Sequence, residues 1–276
     1  VTGSSSVVQL DAWNWEDAAY KTDAGIHVTM PSLMARPGGR RFGGGGGSGP
    51  QQPASDPVKE GLEQMEGLKS FLREAKAYLN ETSHEETNLK YEAVKGLFNK
   101  SQKLYMHGNT VKQILVALDF VKEFGLEMVL VGGSESFQVA ELLKQHNVSV
   151  DQPYKTAAVL QKAGVLFAIS DEDGQTRGRN LSFNAGTAAA YGLTKEEALA
   201  AITLNAAKIM GVADKAGSIE VGKDANIVVS EGDILDMRTS NVTDAFIQGR
   251  KIDLTDKHKL LNDRFQQKYE LKKKGF

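Results

Sequence analysis

EMVLVGGSESFQVAELLKQHNVSV, residues 127–150, is the stretch whose reading decides the fold. It opens as a short apolar run ending in two glycines. SFQVAELLKQH follows with apolar residues at helical spacing, and VSV is apolar again. A strand, a helix and a strand in that order form a βαβ unit, which makes the two strands parallel.

The same alternation extends to both sides. KLYMH (103–107) precedes a helical pattern at 110–124, and helices are expected at 136–146 and 153–163 around VSV (148–150). VLFAIS (165–170) closes the series. Four strands in series with helices between them fit an open doubly wound sheet or part of a (β/α)8 TIM barrel. In both, reactive side chains belong at the C-terminal ends of the strands.

Towards the N-terminus, SSSVVQL (4–10) reads as a buried strand and WNWEDAAYK as the opening of a helix. RPGGRRFGGGGGSGPQQPASDP (36–57) holds eight glycines and four prolines. Such a composition buries too little apolar surface to order itself and reads as a flexible loop. Gly44, Gly46 and Gly49 match G-x-G-x-x-G, but no strand precedes them and no helix follows, so they bind no dinucleotide. Asp56-Pro57 starts a helix, as N-cap and first helical residue. Val58, Leu62, Met65, Leu72 and Leu79 line one side of it, and a second helix is expected over roughly 85–99.

Towards the C-terminus, Thr194 and Glu197 form a capping box for TKEEALAAITLNAAKIMG, which Gly211 ends. GSIEVGKD (217–224) falls one residue short of G-x-x-x-x-G-K-[ST], with Asp224 in place of the hydroxyl. Its middle residues alternate polar and apolar, and DANIVV after it is a strand rather than a helix. The expectation is a β-hairpin, not a phosphate loop. The organisation is then an N-terminal strand and helix of the barrel (1–35), the loop (36–57) and a (β/α) barrel part (58–212). A small β-sandwich module (213–256) and a charged tail (257–276) complete it.

Bulk composition excludes several classes. The formal net charge of −2 offers no field for nucleic acid or an anionic surface. With no cysteine there is no disulfide, thiolate metal site or Cys nucleophile, and cytoplasmic and exported locations both stay open. No apolar run spans a bilayer. The chain opens at Val1 rather than Met, so an initiator and any targeting segment are expected upstream.

GLTKEEALAAITLNAAKIMGVADKAGSIEVGKDANIVVSEGDILD, with VTDAFIQGRKID after it, resembles the C-terminal signature of the metal-dependent amidohydrolase superfamily, in its imidazolonepropionase-like branch. The likeness is strong over 185–252, fair over 91–184 and weak before that. It implies a (β/α)8 barrel with a small β-sandwich, and a divalent metal, zinc the expected ion, that activates water to hydrolyse a C–N bond. The substrate would be a small amide, cyclic amide or dipeptide. Family ligands are an H-x-H on the first strand, Lys or Glu on the fourth, His on the fifth and sixth, and Asp on the eighth.

On this resemblance His107, ending KLYMH, is the fifth-strand metal ligand, and Asp171, after VLFAIS, is the eighth-strand ligand and proton acceptor. Asp173 is the neighbour to which that assignment could slip. Arg177, Arg179 and Asn180 follow in a polar loop where they could hold a substrate carboxylate; the alternative is a solvated loop. Trp13 and Trp15 could line a pocket, with a core role for at least one of them favoured.

Departures from the family are as specific as the matches. No H-x-H occurs in the chain, and VGGSES stands where the sixth-strand His is expected. Only Asp151 and Gln152 separate Val150 from Pro153. His84, His146 and His258 lie on helices or in the tail, leaving His27 as the one outside candidate. Two readings follow: a hydrolase whose H-x-H lies upstream of Val1, or a catalytically inactive relative that keeps the scaffold for binding. With only four or five barrel strands, exposed strand edges also favour a homo-oligomer.

Overall fold

The computed structural model describes residues 3–10, 12–34, 56–81, 83–84, 86–151, 155–171 and 178–269. Residues 36–55 of the glycine-rich segment, Asp173, Arg177 and the tail from residue 270 lie outside them. The strands are β1 (Gly3–Val8), β2 (Ala19–Thr29), β3 (Lys103–Gly108), β4 (Met128–Gly132), β5 (Ser149–Asp151) and β6 (Phe167–Ala168) in one sheet. A second sheet holds β7 (Ile227–Ser230), β8 (Val242–Ile247) and β9 (Arg250–Lys251). The helices are α1 (Trp15–Ala18), α2 (Pro57–Leu79), α3 (Leu89–Glu92), α4 (Lys95–Phe98), α5 (Val111–Phe124) and α6 (Ala140–Gln145). They continue with α7 (Lys155–Ala163), α8 (Leu181–Ala190), α9 (Lys195–Ile202), α10 (Leu204–Met210) and α11 (Lys257–Lys268).

The large sheet runs in chain order from β1 to β6, with β2 to β6 parallel and β1 antiparallel at the edge. That is the strand–helix alternation read from 103–170, laid out as part of a (β/α) barrel. The C-terminal β module is present as a three-stranded antiparallel sheet. No helix among the described residues is long and apolar enough to cross a membrane.

Side chains alternate across the sheet. One face carries Ile26 and Val28 of β2, Leu104 and Met106 of β3, Leu130 of β4, Val150 of β5 and Phe167 of β6. These pack against Met65, Leu72, Ile114, Phe120, Leu143 and Leu160 of the helices as the main core. On the other face Val129, Val131 and Ala168 meet Ala206 and Ile209 of α10 in a smaller cluster. This helix covers the β4–β6 half of that face. The β2–β3 half keeps His27, Tyr105 and His107 half-buried.

Several local expectations change. SSSVVQL is an edge strand with alternate residues exposed, paired on one side only, to β2. The helix after it is one turn long, and Ala19, Tyr20 and Lys21 join β2 instead. Trp13 and Trp15 belong to no core: they are 96% and 68% exposed on that turn. The single helix expected over 85–99 is two four-residue helices, broken where Val94 leaves helical geometry before Gly96. On α2, Met65 and Leu72 are buried with Gly61 and Ala75, while Leu62 stays exposed.

The hairpin expected from GSIEVGKD does not form. Ser218–Val221 pairs with no strand, and Ile219 and Val221 are exposed. Lys223 closes the segment as a turn, donating to the Ser218 hydroxyl at 2.5 Å beside Glu220 at 3.3 Å. Alternation marks a segment able to pair; it does not supply the partner strand. Asp224, the residue that spoils the P-loop match, accepts a short hydrogen bond from the Tyr20 hydroxyl.

Candidate functional site

His107 stands near the C-terminal end of β3 because KLYMHG alternates burial: Leu104 and Met106 turn into the main core while Tyr105 and His107 turn to the opposite face. In the parallel register Tyr105 lies opposite His27 and His107 opposite Thr29. His27 Nδ1 is 2.9 Å from His107 Nε2, and His27 Nε2 is 2.9 Å from the Ser5 hydroxyl on β1. The Tyr105 ring stacks on His27 at 4.8 Å between centroids and 11° between planes. Gly25 makes room for it, since a Cβ there would overlap the Tyr105 ring.

Burial lowers the His27 pKa below its ordinary value, and the neighbouring His107 lowers it further. Around neutral pH His27 is therefore a neutral imidazole, with one nitrogen able to donate and the other to accept.

The remaining expected residues sit apart from this pair. Asp171 follows β6 and accepts a 3.4 Å hydrogen bond from the Asn184 amide of α8. Arg179 is exposed, and Asn180 is half-buried where α8 begins, with no side-chain bond to the helix end. Arg177 lies outside the described residues. His84 bonds Glu81 and stacks on Tyr78, His146 ends α6, and His258 is exposed on α11. His27, the outside candidate, is thus the residue brought to His107. Ser5 has no local sequence signal, since its part depends on the non-local β1–β2 pairing.

These residues do not fit the divalent ion that the family likeness implies. A catalytic zinc takes three protein ligands and an open position. Among the described residues no three His, Cys, Asp or Glu side chains converge as such a set. His107 Nε2 is engaged with His27. On β4, where a ligand was expected, Gly132 has φ +90°, and a Cβ there would meet Asn109 Oδ1 at 2.7 Å. Asn109 in turn holds the Ser134 hydroxyl at 2.9 Å, so that strand end is closed by its own loops.

A sequence profile of the amidohydrolase family matches residues 56–252. The imidazolonepropionase of Thermoplasma volcanium is 40% identical over 87 residues, which is 31% of this chain and 22% of that protein. The imidazolonepropionase of Flavobacterium psychrophilum is 33% identical over 129 residues, 44% of this chain and 31% of its own length. The matched part therefore spans less than a third of either relative. Among solved structures, an amidohydrolase from Thermotoga maritima superposes with a TM-score of 0.69 at 26% identity. That match covers 91% of this chain and 68% of the other.

Proposed function

Because the chain belongs to the amidohydrolase family, we propose that it serves the hydrolysis of a C–N bond in a small amide, cyclic amide or dipeptide. The observation that carries this reading is the family match over residues 56–252, from the start of α2 to the end of the second sheet. The relatives' shared name, imidazolonepropionase, points to a cyclic amide bearing an acid side chain as the first substrate to try.

Zinc is the cofactor proposed, with the donors lacking here supplied from outside the described residues. The chemistry of this chain's own groups is acid–base. His107 is proposed to line the site at the strand end, held there by His27. Asp171 is proposed to take the proton from water as it adds to the amide carbon and to pass that proton to the departing nitrogen. Arg177, Arg179 and Asn180 would hold the substrate's carboxylate.

The test is turnover of 4-imidazolone-5-propionate, small amides and dipeptides by the full chain, with and without added zinc. Hydrolysis is expected, falling at least about 100-fold in His107→Ala. No turnover across the panel would sink the reading. A second reading, a binding scaffold without hydrolysis, is favoured by one observation: the closed β4 end at Gly132. Saturable binding of the same compounds without product would select it.

A further inference from the structure

The sheet face that α10 leaves uncovered carries an arrangement that goes beyond the amide reading, which takes its two histidines but not Ser5. Hydroxyl, imidazole and second ring nitrogen follow one another in a line: Ser5 Oγ to His27 Nε2 at 2.9 Å, then His27 Nδ1 to His107 Nε2 at 2.9 Å. This is the order of nucleophile, general base and orienting group, a constellation recognised by roles and distances on unrelated folds. We propose that Ser5, His27 and His107 form a metal-independent acyl-transfer site for small activated acyl esters, with Ser5 as nucleophile, His27 as its base and His107 as a positioning residue.

Three features support it. Ser5, His27 and His107 come from adjacent strands of one sheet, the rigid kind of support that holds such geometry. The Tyr105 ring, stacked parallel on His27, fixes the plane of the imidazole, and Gly25 gives it space. Ser5 is half-buried, on the edge strand of the sheet rather than in its core. The working tautomer has the His27 Nδ1–H donating to His107 Nε2, which leaves Nε2 to accept from the Ser5 O–H; the proton positions are assigned from these roles.

In the first step the Ser5 oxygen bonds to the acyl carbon while its proton passes to His27 Nε2. The ester C–O bond then breaks; an alkoxide leaves with that proton, whereas a weakly basic phenolate leaves without it and His27 releases the proton to solvent. In the second step water adds to acyl-Ser5 and gives its proton to His27, and the Ser5 oxygen leaves and recovers it. The sum is ester plus water giving acid plus alcohol, with no oxidant or metal consumed.

The experiment uses p-nitrophenyl acetate and the full chain in excess EDTA, so it does not depend on the amide reading or on zinc. Expected are a burst of p-nitrophenolate approaching one equivalent and one acetyl group on the peptide containing Ser5. Ser5→Ala should abolish the burst, and His27→Ala should slow it about 100-fold. His107→Phe should slow it similarly, while His107→Gln, whose amide oxygen can still accept from His27, should recover most of the rate. Ser5→Ala is the deciding variant should His27→Ala fail to fold. An unchanged burst in folded Ser5→Ala, or acetyl found elsewhere, overturns the proposal; so does the absence of any burst.

Discussion

Gly25 sets how closely Tyr105 can lie on the sheet. The ring covers the place a Cβ would take, and from there it stacks on His27. Gly25→Ala therefore has to push the ring away, overpacking the site, and is expected to cost about 1–3 kcal/mol. Denaturant unfolding checks this; an unchanged midpoint would mean that the ring moves freely and does not hold His27. Of the residues gathered here, His107 is legible in the sequence because it ends an apolar strand, where a polar side chain has a reason to be. His27 is legible only as a leftover histidine. Ser5 is invisible: its link to His27 rests on an antiparallel pairing between β1 and β2, and no local pattern encodes which residues meet. Asp171 shows the converse limit. It lies three residues past the end of β6, and its carboxylate turns to Asn184 rather than joining the histidines in a three-donor group.

At the scale of elements, helix caps are the most readable feature. Both halves of the Thr194–Glu197 capping box form, and Gly211 ends α10. The break between α9 and α10 at Thr203, φ −129° and ψ −90°, is not readable, because no glycine or proline marks it. Also hidden is the tie between α2 and α5. Glu123 of α5 accepts from Arg73 Nε at 2.5 Å, with Lys69 at 3.6 Å, and Arg73 reaches back to Glu66 at 2.7 Å. The Arg73 hydrogen bond, ahead of the charges of Arg73 and Lys69, holds the Glu123 carboxyl below its ordinary range. The unfolded chain then binds the proton first as pH falls. The contribution is complete above the ordinary carboxylate pKa of about 4.3 and is lost as pH drops through the lower folded value. Glu123→Gln should accordingly be less stable than wild type at pH 7, with the gap closing towards pH 3. Because the cluster is exposed, the gap should also shrink with added salt. Urea unfolding at the two pH values checks this, and a gap that does not change with pH would assign the loss to packing.

The whole molecule shows how far alternation carries and where it stops. Strand order and parallel direction follow from the βαβ series, so the half-barrel sheet is written in residues 103–170. The position of α10 is not, although its alanines and Ile209 cover Val129, Val131 and Ala168. One cause is remote in sequence: Lys103, at the start of β3, donates to the Ile209 carbonyl at 2.5 Å and so caps the end of that helix. Tyr20 makes a similar long link to the C-terminal sheet. Its hydroxyl donates to the Asp224 carboxylate and accepts from the Asn226 amide at 3.1 Å, just before β7. Lys215 lies 5.6 Å over its ring and bonds its carbonyl at 3.4 Å. If this link couples the two sheets, Tyr20→Phe removes the hydroxyl bonds, leaves the ring and the Lys215 contact, and costs about 1 kcal/mol. The cost should fall on the second sheet. Amides of Val228 and Val229 should exchange roughly fivefold faster, while those of Leu104, Met106 and Leu130 keep their protection. Uniform loss across both sheets would show that they unfold as one unit, and no change at either would show that the Tyr20 hydroxyl bonds contribute no coupling.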